Sequence, residues 1–202
     1  MAEGSCDDVL AAPTASACRL GVGGFVALWR GERPRVAELT DDGATVEALV
    51  AGGRLEVDED GRLVGVHGLV ARLSAHRIEH PGGVAHTWCA FDAVGIPAAL
   101  GIDAAAVTSC PACGATLRVG VHHGVPEDDG RVRLWLPGGE CTHLVEDFCR
   151  HANLYCGADH LAAVVRPGTP GTAVTVTEAA ALGRVTWGDV AAVLGERRGD
   201  RS

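Results

Sequence analysis

The run from His86 to Gly101 sets one thiol, Cys89, and one carboxylate, Asp92, three residues apart in an otherwise apolar stretch. On a helix, positions i and i+3 share a face and stand one turn apart. Cys89 and Asp92 can then look into one pocket, the carboxylate placed to take or return the thiol's proton. The competing reading makes Cys89 one more small buried hydrophobe, a common fate for cysteine. Asp92 resists that reading, because a buried carboxylate is costly unless it is paired or hydrogen-bonded. Pro97 is expected to end or kink the helix.

Eight cysteines stand at positions 6, 18, 89, 110, 113, 141, 149 and 156, and six of them fall from Cys89 onward. Cys149 lies in Phe148-Cys149-Arg150-His151, where two basic neighbours would favour the nucleophilic thiolate. The alternative there is an incidental thiol on a surface helix. Cys110-Pro111-Ala112-Cys113-Gly114 is a knuckle-like CxxC. A zinc site needs two more ligands, and no second CxxC is present. Cys141, His143, Cys149, His151 and Cys156 are the candidates to complete it, at spacings that match no standard finger. A thioredoxin-like role is weaker, since no strand followed by a helix frames the motif.

The elements that must position these groups can be read in outline. Residues 1–24 are rich in small residues, with a short helix around Cys18 and a loose extreme end expected. Phe25 to Trp29 is an apolar block expected to pack on the N-terminal part. Pro34 to Leu39 reads as a short helix, Thr40 to Gly43 as a turn, and Thr45 to Ala51 as a second helix stopped by Gly52-Gly53. Arg54 to His67 reads as a hairpin turning at Asp60-Gly61. Helix, turn, helix and hairpin follow the plan of a winged helix. Residues 71–85 read as a strand and a turn, Leu117 to His122 and Val132 to Pro137 as strands, and Val164 to Arg166 as the start of another. Ala173 to Val176 is a strand, with helices over Glu178 to Leu182 and Trp187 to Leu194 and a loose charged tail from Glu196. Strands and helices mixed without a βαβ rhythm predict an α+β fold with a mixed or antiparallel sheet. The division expected is a winged-helix-like part over residues 1–75, its first 24 or so poorly defined, and an α+β part over 76–202.

Composition narrows the function classes. An apolar fraction of 47% marks a chain that folds, and 202 residues are enough to bury a real core. Every basic side chain other than histidine is arginine, and the formal net charge is −9. Nucleic-acid binding relies on a basic footprint, and the expected recognition helix carries Glu47 and no basic residue. No nucleic-acid partner is expected. The acidic first residues do not read as a signal peptide, and no apolar run is long enough to span a bilayer. A cytoplasmic protein with reduced thiols is the expectation.

Trp88-Cys89-Ala90-Phe91-Asp92, followed by Ile96-Pro97-Ala98 and Leu100-Gly101, together with Phe148-Cys149-Arg150-His151, resembles the organomercurial (alkylmercury) lyase family. Gly68-Leu69, Thr108-Ser109-Cys110, Leu134 to Pro137 and Val174 to Ala179 agree in order. The resemblance covers roughly residues 34 to 194. It implies a winged-helix-like N-terminal part, an α+β catalytic part, and a catalytic trio of Cys89, Cys149 and Asp92. It also sets a third, structural family cysteine on Cys110. The family often has a second cysteine where this chain has Arg150. The chemistry implied is cleavage of a carbon–mercury bond by protonolysis, to a hydrocarbon and Hg(II), in mercury detoxification. Thiolates are the ligands that suit a soft metal. Cys89 and Cys149 would hold Hg(II), and Asp92 would carry the proton. The apolar neighbours Trp88, Phe91 and Ile96 would raise the carboxyl pKa and receive the organic group. No organic cofactor is required, structural zinc on Cys110 and Cys113 is an option, and small thiols or a mercuric reductase would take up Hg(II). The competing class is a non-catalytic, zinc- or mercury-binding, regulatory thiol protein.

Overall fold

The computed structural model describes residues 15–128 and 130–199. The loose ends expected at residues 1–14 and 200–202, and Cys6, lie outside the described residues. Eight strands form one antiparallel sheet in the order β1-β2-β3-β5-β4-β6-β7-β8. These are β1 (Leu55–Val57), β2 (Leu63–Val66), β3 (Leu69–Val70), β4 (His76–His80), β5 (Gly83–Thr87), β6 (Ala104–Ser109), β7 (Thr116–His122) and β8 (Val125–Pro126). Three more, β9 (Arg133–Pro137), β10 (Leu154–Tyr155) and β11 (Gly171–Val174), form a small antiparallel sheet with β9 in the middle. Among the described residues there are six α-helices: α1 (Ala15–Trp29), α2 (Gly43–Ala51), α3 (Ala90–Leu100), α4 (Ala158–Val164), α5 (Val176–Thr186) and α6 (Gly188–Gly199). The α+β expectation with an antiparallel sheet holds. Among the described residues no helix is long and apolar enough to cross a membrane.

The N-terminal order of elements follows the sequence reading, with two changes. The helix expected over Pro34 to Leu39 shortens to a single 3-10 turn, Val36–Glu38. The β1–β2 hairpin does not stand alone, because β2 pairs with β3 and β3 with β5, which makes it one end of the large sheet. A small core of Leu20, Val36, Leu55, Leu63 and Val66 lies beneath it. The apolar block at the end of α1 reaches further than expected. Phe25 joins the main core, and Trp29 stacks on His80 of β4 at 4.5 Å.

The main core is organised around α3, whose residues Ala90 to Ala98 are all buried. A helix apolar all round belongs inside a protein. Each fully enclosed side chain such as Val94 or Ile96 contributes on the order of 1.5–3 kcal/mol. That burial explains why Pro97 fails to end the helix. The proline removes one backbone hydrogen bond, yet α3 runs on to Leu100 and stops at Gly101, which takes the left-handed conformation (φ 62°). α5 crosses α3 at a glycine pair. A Cβ on Gly183 would lie 2.3 Å from the Gly95 Cα, so only glycine lets the two backbones meet.

The strand expected from Val164 is instead the end of helix α4, with Val165 as its extended C-cap. The valines there favour a strand, but the alanine-rich turn before them sets the conformation. α6 continues past Leu194 to Gly199.

Candidate active site

Cys89 is the N-cap of α3, in extended backbone (φ −147°, ψ 175°), and Asp92 is the third residue of the helix. Asp92 Oδ2 accepts the Cys89 backbone N–H at 2.9 Å. The pair forms a capping box with cysteine where Ser or Thr is usual. The i, i+3 reading is therefore met, at the mouth of the helix and not along its length. Thr87 Oγ1 donates to the Cys89 carbonyl at 3.0 Å, and the Ala90 N–H to the Ala152 carbonyl at 3.1 Å. Both bonds hold the start of α3 in place, and the second ties it to the segment that carries Cys149.

Cys149 ends a π-helical turn, Leu144–Cys149. π-turns are rare and frequent at functional sites. His143 caps this turn, its side chain accepting the Glu146 N–H at 3.3 Å. Asp147 Oδ2 accepts the Thr142 and His143 N–H groups at 2.8 and 2.7 Å. Leu144 N–H donates to the Gly52 carbonyl at 2.8 Å, joining the turn to the end of α2. Phe148 meets Phe91 edge to face, ring centroids 6.2 Å apart, and Phe91 in turn packs on Trp187. These contacts bring Cys149 over the N-terminus of α3. One ligand atom from each of Cys89, Asp92 and Cys149 lies within 4.8 Å of the others. Their exposures are 0, 5 and 3%.

Burial decides the electrostatics. A helix N-terminus favours an anion, and Cys89 donates to Asp92 from both its backbone and its side chain. Even so, loss of solvation dominates and raises the Asp92 carboxyl to about 7. Burial, the hydrogen bond that Cys89 shares with Cys149 and the Asp92 charge push the Cys89 thiol well up. The same thiol–thiol hydrogen bond holds Cys149 down, but burial and the charges of Asp92 and Glu56 leave it above its usual value. Arg54 pulls it down. The local basic residues do not act as the sequence suggested. Arg150 and His151 are both exposed, and Arg150 pairs with Glu146 at 2.7 Å.

Two neighbours shape the pocket without a readable sequence signal. Gly68 (φ 92°) lies against Asp92, and a Cβ there would stand 3.0 Å from the carboxylate. Trp187 donates its indole N–H to the His67 carbonyl at 2.8 Å. Of the apolar residues expected around the pair, Trp88, Phe91 and Ile96 are all buried, and the Trp88 indole nitrogen has no partner among the described residues.

Three further thiols gather elsewhere. Cys110, Cys113, Cys156 and His160 form a second group, with ligand atoms within 4.8 Å of one another. Of the five residues offered as completing ligands, only Cys156 joins Cys110 and Cys113. Cys149 belongs to the first group, His143 caps the π-turn, and Cys141 and His151 are not members. His160 escaped the sequence reading. The signal was there in Cys156-x-x-x-His160, a finger-like spacing.

Residues 69–188, which include Cys89, Asp92, Cys149 and Trp187, match the MerB family model, described as alkylmercury lyase. The chain belongs to the alkylmercury lyase family. It is 40% identical over 75 residues to an alkylmercury lyase of Streptomyces lividans, a match covering 37% of this chain and 34% of that protein. The match thus spans about a third of that relative's length. Among solved structures, the fold resembles one described as the mercury-bound form of MerB2, with a TM-score of 0.80 and 17% identity, over 92% of this chain and 96% of the other. At that identity the likeness speaks for the fold.

Proposed function

We propose that this chain is an organomercurial lyase that cleaves the carbon–mercury bond by protonolysis, giving a hydrocarbon and Hg(II), in mercury detoxification. The observation that carries the reading is the meeting of two thiols and one carboxylate in a nearly solvent-free site, the carboxyl raised to about 7. A passive mercury- or zinc-binding protein explains paired thiols. It gives no use to the raised pKa of the carboxyl beside them, which caps α3 and is also suited to moving a proton near neutral pH.

In the sequence of steps, Cys149 as thiolate attacks the mercury of R–Hg⁺. The hydrogen bond that the two thiols share lowers Cys149 and raises Cys89, so Cys149 ionises first. Asp92 takes the Cys89 proton as the second sulfur binds. Two thiolates on a soft metal weaken the carbon–mercury bond. Protonated Asp92 then delivers its proton to carbon, R–H leaves, and Hg(II) stays on the two sulfurs. The carboxylate returns to its starting form, so one residue serves as base and then as acid. Phe91, Ile96 and Trp88 supply the apolar surroundings.

The same reading makes small thiols or a mercuric reductase the acceptors of Hg(II), and it sets the protein in the cytoplasm, where thiols stay reduced. No organic cofactor enters the steps, and a structural zinc on Cys110 and Cys113 accompanies them. It divides the chain into a winged-helix-like part over residues 1–75, which supplies Arg54, Glu56 and Gly68 to the site, and a catalytic part over 76–202. Nucleic acid is not a partner in it.

The test is hydrocarbon release. The protein is incubated with a phenyl- or methylmercury salt and excess small thiol, and benzene or methane is measured. Release well above the thiol-only control is expected, and none above it would overturn the proposal.

A further inference from the structure

The second thiol group sits where the β6–β7 connection meets the start of α4. Cys110 is buried just after β6, and the chain turns tightly back. Cys110 N–H bonds the Ala115 carbonyl at 2.9 Å, and Gly114 N–H, with φ at 73°, bonds the Cys110 carbonyl at 2.8 Å. The backbone N–H groups of Ala112, Cys113 and Cys156 are turned onto the Cys110 sulfur. Facing this turn are Cys156, which follows β10, and His160 in α4.

The spacing of these atoms is that of a coordination shell. Zinc binds sulfur at about 2.3 Å and imidazole nitrogen at about 2.0–2.1 Å, so a tetrahedral shell has sulfur–sulfur edges of about 3.8 Å and sulfur–nitrogen edges of about 3.5 Å. Cys113 Sγ and Cys156 Sγ are 3.7 Å apart, and Cys110 Sγ and His160 Nδ1 are 3.5 Å apart. The four residues come from three segments, which would hold one another only weakly otherwise. Their local core is small, built on Cys110, Trp135 and Tyr155. Three thiols and an imidazole facing one point give little packing energy on their own, whereas a metal shared by them closes the region.

We infer that Cys110, Cys113, Cys156 and His160 bind one Zn²⁺ as a closed structural site, separate from the proposed mercury site. The metal joins the β6–β7 turn to β10 and α4. Because Cys156 is seven residues after Cys149, it also anchors the far end of the segment that carries that thiol. The inference stands whether or not the chain cleaves organomercurials.

The full-length protein is purified under reducing conditions after growth with zinc, and its metal is measured by mass spectrometry. About one zinc per chain is expected. Exchange for Co²⁺ should give the strong visible bands of a tetrahedral ion together with sulfur-to-cobalt charge transfer. Cys113→Ser and Cys156→Ser should each lower bound zinc at least about tenfold after dialysis against a mild chelator. His160→Cys should keep the zinc and strengthen the charge-transfer band, which guards against variants that merely misfold. Cys89→Ala and Cys141→Ser should keep one zinc. Zinc-free protein with an octahedral Co²⁺ spectrum would overturn the inference. So would an intact mass two hydrogens short with Cys113 and Cys156 cross-linked, or zinc lost on Cys89→Ala and retained by Cys156→Ser.

Discussion

Asp92 accepts the backbone N–H of Cys89 at 2.9 Å, and that bond both caps α3 and holds the carboxylate beside the thiol. The cap and the proposed proton carrier are one interaction. The chemistry is thus built on an enclosed part of the fold, the first turn of a helix buried throughout its first nine residues.

Turnover should depend on Cys149 and not on the residue next to it. Cys149 is 3% exposed and lies with Cys89 and Asp92, whereas Arg150 is turned outward to Glu146. Cys149→Ala, like Cys89→Ala and Asp92→Ala, should lower hydrocarbon release by roughly a hundredfold or more. Arg150→Ala removes one exposed ion pair and should leave the rate within about twofold of the parent. Equal losses in the Cys149 and Arg150 variants would contradict the geometry.

The rate should rise with pH through neutrality. Asp92 must be ionised to take the Cys89 proton, and its carboxyl sits at about 7. Below that value most molecules carry the proton already, so kcat/KM should fall on the acid side more steeply than the roughly tenfold per pH unit that ionisation of Cys149 alone requires. The profile is measured by hydrocarbon release with the thiol reagent held at constant thiolate concentration. A slope that stays at roughly tenfold per pH unit from about pH 5 to about pH 8, with no steepening below about pH 7, would separate Asp92 from the proton transfer.

Gly68→Ala should damage the site from outside the trio. The position has φ 92°, a conformation that costs a side chain on the order of 1–3 kcal/mol. The new methyl would also press on Asp92 Cγ and Oδ1 at 3.0 Å. A lower melting temperature is expected, with a loss of kcat that persists at temperatures where the variant is fully folded. A variant equally unstable but normally active would show that Gly68 serves the fold alone.

The parts of this site that lie close in the chain were legible in the sequence. Cys89 and Asp92 could be placed because a helix has a fixed period. The β1–β2 hairpin and strands β7 and β9 announced themselves through alternation and turn residues. Pairings between distant segments were not legible from spacing. Cys149 came to Cys89 through the family resemblance. Nothing local says that a two-residue strand, β3, carries the hairpin into the large sheet. His160 went unseen although Cys156, in a finger-like spacing just before it, offered a local signal. Pro97 was read by its local effect, while the surrounding core outweighed it.

Stability below neutrality should reflect a contest between buried groups. Burial holds His67 and His76 at about 4, against an ordinary value of 6.5. Between those values the folded chain binds fewer protons at these rings than the unfolded chain. Their contribution is therefore present above 6.5 and lost as pH falls towards 4, at up to about 1.4 kcal/mol per pH unit each. Asp92 runs the other way. Its carboxyl is raised from 3.8 to about 7, so the folded chain binds the extra proton, and its contribution is lost as pH rises through that window. One carboxyl thus offsets about one histidine between roughly pH 4 and pH 6.5. Asp92→Asn keeps an oxygen to accept the Cys89 N–H and removes the titration. It should melt higher than the parent at pH 8, lose that advantage towards pH 4, and show a steeper acid decline. Melting curves of both proteins across this range test the point. A difference in melting temperature that does not change with pH would mean that Asp92 has an ordinary carboxyl pKa in the folded chain, and the role assigned to it as proton carrier would lose its physical basis.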